Sequence, residues 1–313
     1  MSSAPSTGRR VAFFGGSFDP PHLGHLAVAR AACAALRLDT VLFAPVGAQP
    51  LKPQGSTAPF EDRLAMTHLA IAADQAFSIS LADAPQPSGR PNYTLDTLLA
   101  LSTGLPRGSA LFCLMGADSF ASLKRWHRAA EIPFAAPLIV ASRPGENLHD
   151  LKASLPDGLS IEAAPKVASD SAEEHCSVNG QDHSTRETAL PGTIGITDQV
   201  FAGRGKALSG KQEVSGHDFS RAAEGTKINR ALAPEGILAA SILELPGTGS
   251  PIQLLRYILT NPAGQTAPLH LLPGLQVDIS ASEIRGQIRA NATAPALLPP
   301  SVSAYIRAHG LYR

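Results

Sequence analysis

A pair of glycines between two runs of opposite preference constrains this chain more than any other feature. Val11-Ala12-Phe13-Phe14 is a short apolar run that reads as a first β-strand. Gly15-Gly16-Ser17-Phe18-Asp19-Pro20-Pro21-His22-Leu23-Gly24 follows, and the alanine-rich stretch from His25 to Leu36 then reads as a helix. A strand, a glycine turn and a helix N-terminus make a place for phosphate. Glycines let the backbone approach an anion, and the free N–H groups of a helix start point at it. His22 and His25 fall on one face of the helix entrance and can reach the same phosphate chain. Such a pair can also be half of a metal site, but no third ligand stands at a recognisable spacing, and no metal ligand is assigned.

Size and composition narrow the remaining choices. A chain of 313 residues holds one large domain or two small ones. Its formal net charge of +0 implies no bulk attraction to nucleic acid or an anionic membrane. Cys33 and Cys113 lie in apolar runs and read as buried thiols of a reducing cytosol; Cys176 completes an odd count without metal spacing. No apolar run is long enough to span a bilayer. Arg9-Arg10 resembles a twin-arginine signal, but the apolar run after it stops at Gly15 and no small-residue cleavage site follows. A cytoplasmic protein with no nucleic-acid or membrane partner is expected, and homo-oligomerisation stays open.

Up to about residue 145 short apolar runs alternate with amphipathic ones, within a core domain expected over 1–165. Thr40–Pro45, Phe77–Leu81, Ala110–Met115 and Pro137–Ala141 read as further strands. Phe60–Ala73 reads as a helix with Glu61 and Asp62 in its favoured first turn, and Thr94–Leu101 as another that Thr94 can cap. This alternation implies an α/β chain with a parallel sheet covered on both faces, whose ligands bind beyond the carboxyl ends of the strands.

Residues 166–235 differ in texture. Polar residues and glycine dominate and periodicity disappears, so the tract reads as a disordered or loosely ordered insertion. His175, Cys176 and His183 inside it can be imagined as a metal cluster, and are not assigned as one. Order is expected again over 236–313: at Gly236-Ile237-Leu238, at Gln253–Leu259, and in helices over Ser282–Ala290 and Pro300–His309. In Ile279-Ser280-Ala281-Ser282-Glu283-Ile284-Arg285, Ser280 or Ser282 can cap a helix whose first turn presents Arg285 to an anion. A plain capped amphipathic helix is the alternative.

The full glycine string resembles the G-G-S-F-D-P-x-H-x-G-H signature of the nucleotidyltransferase superfamily. Arg90-Pro91-Asn92-Tyr93-Thr94-Leu95-Asp96-Thr97-Leu98, Gly116-Ala117-Asp118-Ser119-Phe120 with Trp126 and Glu131-Ile132, Ala141-Ser142-Arg143-Pro144-Gly145 and Tyr305–Tyr312 are similar to segments of the bacterial nicotinate-nucleotide adenylyltransferases. The resemblance covers roughly residues 10–165 and 250–313, with its motifs in the expected order. It implies a Rossmann-like doubly wound parallel sheet with a small C-terminal helical part, and transfer of AMP from ATP to nicotinate mononucleotide with release of pyrophosphate.

By the same resemblance His22, His25, Lys52 and Arg285 are catalytic, with Mg²⁺ arriving on ATP. Gly15, Gly16, Ser17, Phe18, Gly24, Gly116, Asp118 and Ser282 contact ATP, and Arg90, Tyr93, Thr94, Trp126, His127 and Arg143 contact the mononucleotide. Ala281 stands where the superfamily carries a serine, so one hydroxyl of that motif is missing. Trp126 offers a flat surface for an aromatic ring or is a core aromatic, and Asp118 suits ribose hydroxyls or caps a helix. An adenylyltransferase acting on another acceptor such as phosphopantetheine, or a non-catalytic nucleotide-binding regulator, are the alternatives to the main reading.

Overall fold

The apolar run at 11–14 is buried on both sides, as a central parallel strand requires. The computed structural model describes residues 8–52, 54–142, 148–165, 253–275, 279–290 and 297–313. In it β1 (Arg10–Gly16) is flanked by β2 (Thr40–Pro45) and β4 (Ala110–Gly116). The remaining strands are β3 (Phe77–Ile79), β5 (Leu138–Ala141), β6 (Ser160–Ala163), β7 (Leu255–Thr260) and β8 (Thr266–Leu272). They form one eight-stranded sheet in the order β3-β2-β1-β4-β5-β8-β7-β6. Pairing is parallel from β3 across to β8 and antiparallel at β8–β7 and β7–β6, so the sheet ends in a meander rather than running parallel throughout.

Alternate residues of β1 feed two cores. Ala12 and Phe14 pack with Leu26 and Ala29 of α1 (Leu23–Leu36), Met66 of α2 (Phe60–Ile71), Ile284 of α7 (Ala281–Arg289) and Val302 of α8 (Pro300–His309). Val11 and Phe13 pack on the opposite face with Leu95 and Leu98 of α3 (Thr94–Gly104), Phe120 of α4 (Ala117–Ala121), Ile132 of α5 (Ile132–Ala135) and Leu151 of α6 (Leu148–Ser154). Each fully buried Val, Leu, Ile, Met or Phe among these contributes roughly 1.5–3 kcal/mol of apolar burial. Two caps differ from expectation. Thr94 is the first helical residue of α3 rather than its cap, and neither Ser280 nor Ser282 caps α7 through its side chain.

The chain divides into two units, Met1–Ala168 with Gly249–Arg313, and Ser169–Thr248. The second lies wholly outside the described residues, together with the expected insertion at 166–235, the resumption at Gly236-Ile237-Leu238 and the cluster of His175, Cys176 and His183. Among the described residues no helix is long and apolar enough to cross a membrane.

Candidate active site

The sheet opens where its strand order reverses. β1 and β4 pair only as far as Phe13↔Cys113, whereas β1 stays with β2 out to Gly16↔Pro45 and β4 with β5 out to Gly116↔Ala141. The two central strands part at their carboxyl ends, which is where open α/β sheets bind ligands. A cavity of about 780 Å³ occupies this gap, a size suited to nucleotides.

The glycine string lines one wall. Gly15 and Gly16 are the last residues of β1, and a Cβ on Gly15 would lie 2.7 Å from the Phe13 ring. Phe18 then takes a left-handed backbone, with φ of 46°, and buries its ring edge-on against His25 with centroids 4.9 Å apart. His22 occupies the N-cap position of α1, and its backbone N–H donates to His25 Nδ1 at 3.2 Å. That bond leaves the proton of neutral His25 on Nε2.

The two imidazoles lie 3.8 Å apart, centroid to centroid. Burial lowers the His22 pKa to about 4, and burial followed by the nearby His22 lowers that of His25 well below the ordinary value. Both are therefore neutral in the free protein at pH 7, and act there as N–H donors rather than fixed cations.

Permanent positive charge comes from Arg285 and Lys52. Arg285 Nη1 donates to the Asp19 carbonyl at 2.7 Å and Nη2 to Ser282 Oγ at 3.1 Å, while its buried Nε has no partner among the described residues. Lys52 is exposed on a loop above the glycine string, where Nζ donates to Ser17 Oγ at 3.2 Å. These groups, with Gly24 and the start of α7, line the same cavity.

Asp19 ties this wall together. Its Oδ1 accepts from Ala58 N at 3.1 Å and from the Tyr312 hydroxyl at 2.7 Å; its Oδ2 accepts from Thr57 N at 2.6 Å. Behind it Arg63 of α2 is 2 % exposed and donates to the carbonyls of Ala58, Ser17 and Val46 at 3.2, 2.6 and 2.8 Å. Burial lowers the Arg63 pKa. The three backbone carbonyls it satisfies offset part of that cost, while the guanidinium fixes their mutual positions.

The opposite wall is built on α3. Tyr93 is its N-cap residue, and among the described residues no side chain caps its first-turn N–H groups. Thr94 and Tyr93 line the cavity with Trp126 and His127; the last lies tilted against the Tyr93 ring, with centroids 4.4 Å apart. Trp126 is half-buried against the core with its indole N–H donating to Ser122 Oγ at 3.1 Å, so it is both a packed aromatic and an open face. Asn92 fastens the segment before the helix: its amide accepts from Ala48 N and donates to Ala84 O, each at 3.0 Å. Gly116 and Asp118 line the cavity as well, and among the described residues a Cβ on Gly116 would meet no atom within 4 Å, which leaves room for a ligand. Arg90 is exposed on a loop and does not line the cavity, and Arg143 lies outside the described residues.

The cytidylyltransferase-like family model matches residues 13–180. A "Probable nicotinate-nucleotide adenylyltransferase" of Roseiflexus sp. (strain RS-1) is 41% identical over 173 residues, 53% of this chain and 82% of that protein. One of the same name from Trichlorobacter lovleyi is 43% identical over 148 residues, 47% of this chain and 68% of that one. The chain belongs to the nicotinate-nucleotide adenylyltransferase family. Among solved structures, Plasmodium falciparum nicotinic acid mononucleotide adenylyltransferase complexed with APC aligns with a TM-score of 0.38 and 15% identity, over 47% of this chain and 71% of that one.

Within this adenylyltransferase scaffold the sequence left several lining residues unmarked. Asp19 sits inside the glycine string, and its place between Phe18 and the two prolines was the available signal. Asp83 and Gln49 also line the cavity, and Arg63 supports it from behind; none of them belongs to a motif with a local signature.

Proposed function

We propose that this cavity carries out the reaction of its family: the 5′-phosphate of nicotinate mononucleotide attacks the α-phosphorus of ATP in line, giving deamido-NAD and pyrophosphate. The observation that carries the reading is the meeting, in one cavity, of a phosphate-type wall (His22, His25, Lys52, Arg285) with the uncapped start of α3.

A phosphate oxygen is already anionic, so no protein nucleophile is needed, and the difficulty is electrostatic. Two polyanions must meet while charge builds on the leaving pyrophosphate, and positioned donors meet both demands. Arg285 and Lys52 supply fixed charge. The neutral imidazoles of His22 and His25 supply N–H donors, and a polyphosphate beside them favours their protonation. Gly15, Gly16, Ser17, Phe18 and Gly24 let the backbone approach the phosphates, while Gly116, Asp118 and Ser282 face the ATP ribose and phosphates. Tyr93, Thr94, Trp126 and His127 receive the mononucleotide, its ring against the indole and its carboxylate on the α3 N–H groups. Arg90 and Arg143 belong to this set by sequence resemblance alone.

Among the described residues no group of three His, Cys, Asp or Glu could hold a metal, and the Asp19 carboxylate is taken by Thr57, Ala58 and Tyr312. Mg²⁺ is assigned to the ATP phosphates, as part of the substrate. Free thiols at Cys33 and Cys113, both with pKa values raised by burial, suit a reducing cytosol.

Pyrophosphate release from ATP with a panel of acceptors tests the reading. Nicotinate mononucleotide should support turnover and phosphopantetheine should not. Release with phosphopantetheine alone, or with no acceptor in the panel, would overturn it.

A further inference from the structure

Asp83 lines the cavity and has no part in the reaction above. It is 4 % exposed, and the Thr97 hydroxyl, one turn into α3, donates to its Oδ1. Its Oδ2 lies 3.5 Å from where a Cβ on Gly15 would stand. The carboxyl group is thus held between the glycine string on one side and the first turn of α3 on the other. Among the described residues no Lys, Arg or His forms an ion pair with it. Burial without a cation pushes its pKa up to about 6, which still leaves it largely ionised at pH 7.

A buried carboxylate without a counter-charge is costly, and in a cavity for polyanions it also repels its ligands. Every phosphate of both substrates and the ring carboxylate of the acceptor meet that repulsion. One part of either substrate does not. The ring nitrogen of nicotinate mononucleotide is bonded to the ribose and carries a permanent positive charge. Asp83 lines the same cavity and lies against both Gly15 of the phosphate wall and Thr97 of α3, so a ring whose carboxylate reaches the α3 start can set its nitrogen beside it.

We propose that Asp83 is a specificity-determining residue that sets a fixed negative charge against the pyridinium ring of the acceptor, while the α3 N-terminus takes the ring carboxylate. The assignment rests on the acceptor named under the proposed function. Thr97 is the positioning residue that holds one carboxylate oxygen so that the other faces the ligand.

The test compares two acceptors, nicotinate mononucleotide and its neutral-ring isostere, the C-linked 3-carboxyphenyl riboside 5′-phosphate, on the wild-type enzyme and on Asp83→Asn. The wild type should show a KM for the pyridinium acceptor lower by about tenfold or more, the scale of one close charge pair. Asp83→Asn should bring the two acceptors within about twofold of each other without raising the KM for ATP, since the charge that repels its phosphates is gone. Its Tm should rise, because an amide accepts the same Thr97 bond without the burial penalty of an ion. A variant that does not fold is replaced by Asp83→Ser in the same comparison. Equal KM values for the two acceptors in the wild type overturn the proposal. So does a variant that weakens both acceptors equally, which would mark a hydroxyl contact or lost packing. Failure of the wild type to form any deamido-NAD strikes the proposed reaction itself, and the role of Asp83 with it.

Discussion

The hydroxyl of Tyr312 donates to Asp19 Oδ1 at 2.7 Å, joining positions 293 apart in sequence. Tyr312 is 6 % exposed and takes a left-handed backbone with φ of 66°, a conformation a bulky residue adopts only when the surroundings demand it. Asp19 in turn offers its carbonyl to Arg285 and its carboxylate to the segment before α2. The Gly310-Leu311-Tyr312 string thus closes a chain of contacts that ends on the phosphate wall.

Tyr312→Phe removes this one hydrogen bond and keeps the ring. It should destabilise the protein by about 1–2 kcal/mol, because Asp19 loses a donor in a buried setting. Urea unfolding measures the change, and a variant as stable as the wild type would show that the bond contributes nothing.

In the proposed reaction His25 is a donor beside the reacting phosphates, and His25→Ala removes it. Turnover should fall by about 10²–10³-fold, the scale of losing one preorganised donor. The His25 ring also leans on Phe18, so a smaller loss of stability should accompany it. Near-normal kcat in a folded variant would remove His25 from the mechanism.

The same histidines shape the dependence of stability on pH. In the folded protein His22 has a pKa of about 4 against 6.5 unfolded, so between these values the unfolded chain binds the extra proton. Stability should fall as pH drops through that window, by about 3 kcal/mol for His22. The lowered values of His25 and His270 act in the same direction. Asp83 acts oppositely: its raised pKa of about 6 means the folded state takes up a proton first, which adds stability as pH falls below 6. Urea midpoints should therefore decline from pH 7 to 4.5, more steeply in Asp83→Asn and less steeply in His22→Asn. A flat wild-type profile would contradict the buried, neutral state of the pair.

What could be read from the sequence had a local signature. The glycine string sits between a continuous apolar run and an alanine-rich one, and both adopted the expected structure at β1 and α1. The α8 helix runs over Pro300–His309 as expected, opening on a proline and closing before Gly310 in a left-handed conformation. The edge of the sheet was not legible. β6 buries Ile161 and little else, and β8 contains Pro268, a residue that argues against a central strand. Pro268 is tolerated because it pairs with Ile258 of β7 before the ladder to β5 begins at Leu269. In the site, the histidines and Arg285 came from motifs. Arg63 and Asp83 did not, since most of what they contact is non-local, Ser17 and Val46 for Arg63, Gly15 and Thr97 for Asp83, a relation no local pattern carries.

The central claim is that the uncapped start of α3, with Trp126, selects the acid mononucleotide. Its amide analogue presents a neutral NH₂ to the same N–H donors, which leaves a donor unpaired at a cost of ~1–3 kcal/mol and forgoes the helix-dipole attraction for an anion. Measuring kcat/KM for nicotinate mononucleotide and nicotinamide mononucleotide under one set of conditions tests this most directly. The account predicts a preference for the acid of at least about tenfold, up to a few hundredfold. Equal efficiency with the two would mean that Thr94 and Trp126 do not form the acceptor pocket.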